Sequence, residues 1–240
     1  MKKQTTILNI LIVLVVAIAL TLVFVDTPLS ALRTVPVILP TASPDGEGDK
    51  ETEELPRPIE VTTDTVQSAI RTLSRVDAYS RTVSAESYLD GETVSRTIDV
   101  WVRSGAAKLV VSRGDTGEAM HILILEDDKW IWYEGLYGSY EGPAAGNEAD
   151  RYQAILSYET VLDVSKSAIT EAGYVDHMGE MCIYVRYNSS LPGYENICYV
   201  SVETGLAVAE ETYADGELIF RAVSTLPDLA VPEDSYFQLP

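Results

Sequence analysis

Residues 181–220, MCIYVRYNSSLPGYENICYVSVETGLAVAEETYADGELIF, decide the architecture. They read as successive antiparallel strands over 180–187, 194–202 and 206–213, with a further strand after the turn at Asp215 and Gly216. The chain's two cysteines, Cys182 and Cys198, fall in the first two of these strands. If 188–193 is the loop, in-register pairing sets Tyr187 opposite Gly193, Ile183 opposite Ile197 and Cys182 opposite Cys198. Opposed residues of an antiparallel pair have Cβ atoms about 4.5–5.5 Å apart, and a non-hydrogen-bonded pair comes near the spacing a disulfide needs. A Cys182–Cys198 disulfide is therefore expected, and with it an oxidising compartment.

Outward from this stretch the same grammar repeats. Residues 79–89 and 93–103 flank Asp90 and Gly91, a two-residue hairpin signal. Strands follow at 108–112, 120–125 and 130–134, separated by short polar turns. Residues 150–164 break the alternation and suit one or two short helices, after which strands resume to Ser224. Upstream, Val66, Ala69, Ile70, Leu73 and Val76 lie at helical spacing, so a helix is expected from about Thr63 to Val76 with one apolar face. The order is one helix, five or six strands, a helical insertion, four or five strands and a tail. A long twisted antiparallel sheet with its helices on one side makes an α+β fold, a curved half-barrel whose concave side carries the helices.

The first 60 residues are of another kind. Met1, Lys2 and Lys3 precede a run from residue 7 to 25 broken only by Asn9 and Thr21, long enough to span a bilayer as one helix. The lysines place the N-terminus in the cytoplasm and the rest of the chain outside. An uncleaved signal-anchor over 1–25 is expected. A cleaved signal peptide is the rival, and it too exports the remainder. Residues 26–60 hold six prolines and an acidic, Gly-containing middle, the composition of a disordered linker. The domain proper is residues 61–240. The expected localisation is the cell membrane, single-pass, with this domain extracytoplasmic.

A formal net charge of −20 with a sequence pI near 4.3 disfavours nucleic acid and acidic lipid headgroups as partners. The Arg113, Gly114, Asp115, Thr116, Gly117 run contains two well-known tripeptides, but glycines around an aspartate between strands make a turn, and an aspartic protease needs a second carboxylate loop. His121 and His177 lie far apart with no ligand spacing, so no metal and no cofactor are expected. The densest aromatic group is Trp130, Trp132, Tyr133, Tyr137 and Tyr140. Trp130 and Trp132 share a strand face, either as core under the helices or as the wall of an apolar groove. In the groove reading, Ile70 and Leu73 of the helix line the facing side.

Three segments carry a resemblance. VETGL (202–206) joins two strands, EETY (210–213) leads into DGEL (215–218), and PEDSYFQLP (232–240) closes the chain. Together with the element order over 61–240, they resemble the lipoprotein-carrier fold. This is the LolA/LolB-like superfamily, which also includes the first domain of RseB-like envelope-stress regulators. The resemblance implies a non-enzymatic extracytoplasmic module that holds a lipid, an acyl chain or a lipoprotein segment in its concave face. Known carriers are soluble or lipid-anchored, so a transmembrane anchor favours local binding or sensing over shuttling. The alternative is a structural or regulatory protein-interaction module of the cell envelope with no small-molecule ligand. No ligand-binding residue transfers position by position.

Overall fold

In the computed structural model the described residues are 60–114, 116–144 and 148–239. The anchor and nearly all of the linker lie outside them. Among the described residues no helix is long and apolar enough to cross a membrane. Residues 59–240 form one compact unit with its own core, the anatomy of an independent folding unit.

The unit is built on a single open sheet of eleven antiparallel strands. Chain order gives β1 (Tyr79–Leu89), β2 (Glu92–Arg103), β3 (Ala106–Arg113), β4 (Ala119–Leu125), β5 (Asp128–Tyr133), β6 (Tyr140–Pro143), β7 (Ile169–His177), β8 (Glu180–Asn188), β9 (Tyr194–Ser201), β10 (Ala207–Ala214) and β11 (Glu217–Ser224). The spatial order is β6-β5-β4-β3-β2-β1-β11-β10-β9-β8-β7: two meanders meeting where β11 returns to β1. This open sheet with few helices is consistent with a half-barrel. The turns are those the dipeptides demand. Leu89 pairs with Glu92 across Asp90 and Gly91, and Ala214 with Glu217 across Asp215 and Gly216. Both residues of each loop have positive φ, the conformation that matches the twist of the flanking strands.

Alternation sorts the side chains onto two faces. Tyr79, Val83, Ala85, Ile98, Val100, Leu109, Ile122, Ile183, Val185, Cys198, Val200 and Ala222 form the core on one face. Three short helices, α1 (Val66–Arg71), α2 (Glu148–Arg151) and α3 (Tyr158–Asp163), are associated with that face, hereafter the helix face. Val66, Ala69 and Ile70 are buried on α1, and Leu73 and Val76 pack against the same core after the helix has ended. The helix is shorter than its apolar spacing predicts because tertiary contacts take over the chain at Leu73. The Val76 N–H donates to the Thr204 carbonyl (3.0 Å), and the backbone of Ser74 and Arg75 lies against Gly205. A Cβ at Gly205, where φ is +66°, would stand 2.8 Å from the Ser74 carbonyl oxygen, so only glycine fits.

The expected disulfide is not formed. Cys182 and Cys198 are both free and buried. The β8–β9 hairpin closes at Asn188 and Glu195, and the register sets Cys182 opposite Ser201 and Cys198 opposite Val185. That is three residues from the expected pairing, and an odd shift carries a side chain to the other face. Cys198 sits in the helix-face core, and Cys182 faces the opposite way. Burial decides the register: it sets Ile183 opposite Val200 and Val185 opposite Cys198, whereas the expected one would set Val185 against Glu195. The inference of an oxidising compartment from this pair goes with it.

The other face is covered at one end by the C-terminal segment. Its 3-10 turn (Asp234–Phe237) lays Tyr236 on Trp101, ring centroids 4.7 Å apart, and buries Phe237 beneath the Arg103 guanidinium, 4.4 Å from the ring. Arg103 also pairs with Asp234. The apolar residues of the closing segment thus act as an outer-face clasp.

Candidate functional site

The helical insertion between β6 and β7 is held on the helix face by polar contacts. Gln67 of α1 directs its side-chain amide at the carbonyls of Val161 (3.0 Å), Leu162 (3.1 Å) and Val164 (2.7 Å), capping the C-terminal end of α3. Arg75 makes a bidentate pair with Asp150, at 2.7 and 2.5 Å, which holds its guanidinium protonated well beyond the ordinary range. Arg81 is buried in the sheet and donates to the Gln153 side-chain oxygen and to the Ala207 carbonyl (2.6 Å). Both of these partners are neutral, and desolvation lowers its pKa. Lys129 of β5 pairs with Glu148 of α2. Finally, the Leu156 N–H donates to Glu210 Oε2 on β10 (2.8 Å).

Beyond these contacts two cavities open onto the helix face. One, of about 390 Å³, is lined by Ala154, Ile155, Leu156, Thr160, Glu210 and Phe220, with Asp150 and Arg151 also on its wall. The other, of about 400 Å³, lies over the ends of β1 to β5 and is lined by Ser87, Val94, Arg96, Val111, Met120 and Tyr133, with Arg113 and Glu118 alongside. Ser87 of the second and Phe220 of the first are directly paired across β1 and β11. The two cavities are therefore neighbours on the helix face, the first against the helical insertion and the second beyond it, and together are termed the cleft. Each volume lies in the range usual for small-ligand pockets. Methionine, tyrosine, phenylalanine and aliphatic side chains make the floor. Burial pushes the Glu210 carboxyl up to about 7, partly opposed by the Leu156 N–H.

The four groove residues expected from the sequence do not meet. Ile70 and Leu73 lie on the helix face, Ile70 fully buried in the core. Trp130 and Trp132 alternate with Lys129 and Ile131, and it is Lys129 and Ile131 that face the helices. The tryptophans therefore sit on the outer face. There Trp132 stacks on His121, centroids 5.2 Å apart, and Lys108 Nζ lies 3.7 Å from its ring centroid. Desolvation lowers the Lys108 pKa to about 8. His177 stacks on Tyr199 in the other meander. Among the described residues no group of three or more His, Cys, Asp or Glu could hold a metal ion. The residues sequence reasoning missed are Glu210 and Phe220. The signal was present in part, since Phe220, Ala222 and Ser224 alternate cleanly. The parity of β10, however, is disguised by an irregularity between Ala207 and Ala209 that leaves both Ala207 and Glu210 on the helix side.

No family model and no curated protein matches the sequence. Solved structures similar to the chain include a LolA superfamily protein from Nitrosomonas europaea, at 10% identity and TM-score 0.35, covering 73% of this chain and 96% of that one. Another is a DUF1329 family protein from Desulfovibrio piger, at 12% and 0.31, covering 73% and 95%. A third is an outer membrane lipoprotein-sorting protein domain from Vibrio parahaemolyticus, at 11% and 0.29, covering 72% and 95%. The element order expected from the sequence pattern, from helix through the insertion to the closing segment, is the order observed.

Proposed function

We propose that residues 61–240 form a non-enzymatic, extracytoplasmic binding or sensing domain that takes an acyl chain, of a lipid or a lipidated protein, into the helix-face cleft. In this reading residues 1–25 anchor the chain in the membrane and residues 26–60 tether the domain beside it. The observation that carries the proposal is the pair of neighbouring cavities on the helix face, whose apolar lining includes Val94, Val111, Met120, Tyr133 and Phe220. A solid α+β core would leave no such space. An acyl chain gains roughly 0.8 kcal/mol per methylene buried, so ten methylenes contribute about 8 kcal/mol. Association costs several kcal/mol, which leaves a weak to moderate binder. A binder of that strength, tethered at the bilayer, loads and unloads readily, which suits sensing or local hand-over.

Native mass spectrometry of the purified domain tests this. The expected result is a population carrying co-purified lipid, and Phe220→Asp is expected to lose it. A domain that carries no lipid and binds no neutral acyl probe at high micromolar concentration would leave the protein-interaction module as the function.

A further inference from the structure

The cleft mixes apolar and polar lining, and one of its carboxyls, that of Glu210, is buried in the wall. Glu210 is 7% exposed. Its strand neighbours on the helix face are Cys198 across β9 and Ala222 across β11. Oε2 is held by the Leu156 N–H (2.8 Å), no charged side chain neutralises the carboxyl, and the residue lines the cavity wall. We propose that Glu210 sets the head-group specificity of this cleft: it takes amphiphiles whose chain ends in a hydrogen-bond donor, above all an ammonium, and turns away chains that end in a carboxylate. This deepens the acyl-binding reading and rests on it.

The surrounding charges favour this assignment. Of the cations near Glu210, Arg75 is paired with Asp150 and Arg81 bonds Gln153 and Ala207, while Arg151 lies exposed on the rim, 3.4 Å from Glu148; Arg96 and Arg113 stand over the other cavity. Across the strands the titratable groups are Cys198 on β9 and Tyr187 on β8, both protonated at neutral pH because burial raises them. Asp150, also on the cavity wall, is neutralised by Arg75, which leaves Glu210 without a counter-charge of its own. An ionised carboxyl in such surroundings lacks the partner that buried charges require. A ligand ammonium or hydroxyl supplies it and makes a charge-assisted hydrogen bond. A ligand carboxylate meets like charge in a chain of formal charge −20. Because burial brings Glu210 to about 7, the charge that makes this distinction develops through neutral pH. Ammonium binding strengthens and carboxylate binding weakens as pH rises through that range.

The test uses one alkyl chain with three heads. Dodecylammonium, dodecan-1-ol and dodecanoate each compete with the neutral fluorophore N-phenyl-1-naphthylamine for the compact domain. At about pH 8.5 dodecylammonium is expected to displace the probe at roughly one-tenth the concentration of dodecanoate, with the alcohol between them. Glu210→Gln keeps the acceptor for the Leu156 N–H and is expected to bring all three within about twofold to threefold. The wild type offers the same test without a variant, since its preference should shrink at about pH 5.5 as Glu210 takes up its proton. Equal binding of the three heads, a preference that survives Glu210→Gln, or tightest binding of dodecanoate overturns the specificity and leaves acyl binding standing. Failure of all three, the alcohol included, removes the acyl reading and this proposal together.

Discussion

Replacing Glu210 by glutamine removes one ionisable group from beneath the insertion and keeps an oxygen to accept the Leu156 N–H. Burial raises the carboxyl from its ordinary value of 4.5 to about 7. The folded state therefore holds this proton to higher pH than the unfolded chain does. Stability from this group falls as pH rises from about 4.5 to about 7 and is flat above. The interval is about two and a half pH units, and at about 1.4 kcal/mol per unit the full cost of ionisation is about 3 kcal/mol. Glutamine avoids that cost. For a domain of this size about 3 kcal/mol corresponds to a rise in melting temperature of roughly 5–10 °C. Thermal unfolding followed by circular dichroism should show a gain of that order at about pH 8, shrinking to less than half at about pH 5.5. A gain of equal size at both pH values, or a loss at the higher one, would refute the claim that Glu210 is a buried, unneutralised carboxyl.

Other parts of the account make separate demands. Phe220→Asp places a charge on the cleft floor and should weaken a neutral acyl probe by roughly tenfold or more in a displacement titration; unchanged affinity would move the binding surface elsewhere. Purified under non-reducing conditions, the chain should yield two thiols after unfolding and almost none while folded, because both cysteines are buried; absence of thiols in the unfolded chain would mean the β8–β9 register is wrong. Phe237→Ala should cost about 3 kcal/mol in urea denaturation, since the ring is buried against the outer face; a loss under about 0.5 kcal/mol, the usual surface effect, would deny the closing segment its clasping role.

The turns made much of this fold legible. Asp90 and Gly91, and Asp215 and Gly216, each permit only a tight reversal between strands, and their neighbours pair as that reversal requires. The small β6 was less visible, because Gly142 and Pro143 make up half of its four residues. Proline is tolerated there because β6 is an edge strand. Two failures share one cause. Pairing Cys182 with Cys198 and lining a groove with Trp130 and Trp132 both required knowing which parity of a strand faces the helices. Alternation says which residues share a face and not which face that is. Where both parities carry large apolar groups, as in β5, the choice depends on what covers each side. Here the insertion takes Lys129 and Ile131 on one side, and the tryptophans take the other. The candidate cleft was legible only as the general consequence of helices too short to cover an eleven-stranded sheet.

The central claim is that the acyl chain lies on the helix face, in the cleft formed by the two neighbouring cavities. Paramagnetic broadening in NMR spectra of the labelled domain reads this directly, using the methyl ester of a nitroxide-labelled fatty acid as a neutral ligand. The account predicts saturable broadening at Val94, Val111, Met120, Ala154, Leu156 and Phe220, with Trp130, Trp132 and Tyr199 on the outer face spared. Broadening centred on the outer-face tryptophans, or none that saturates, would contradict it.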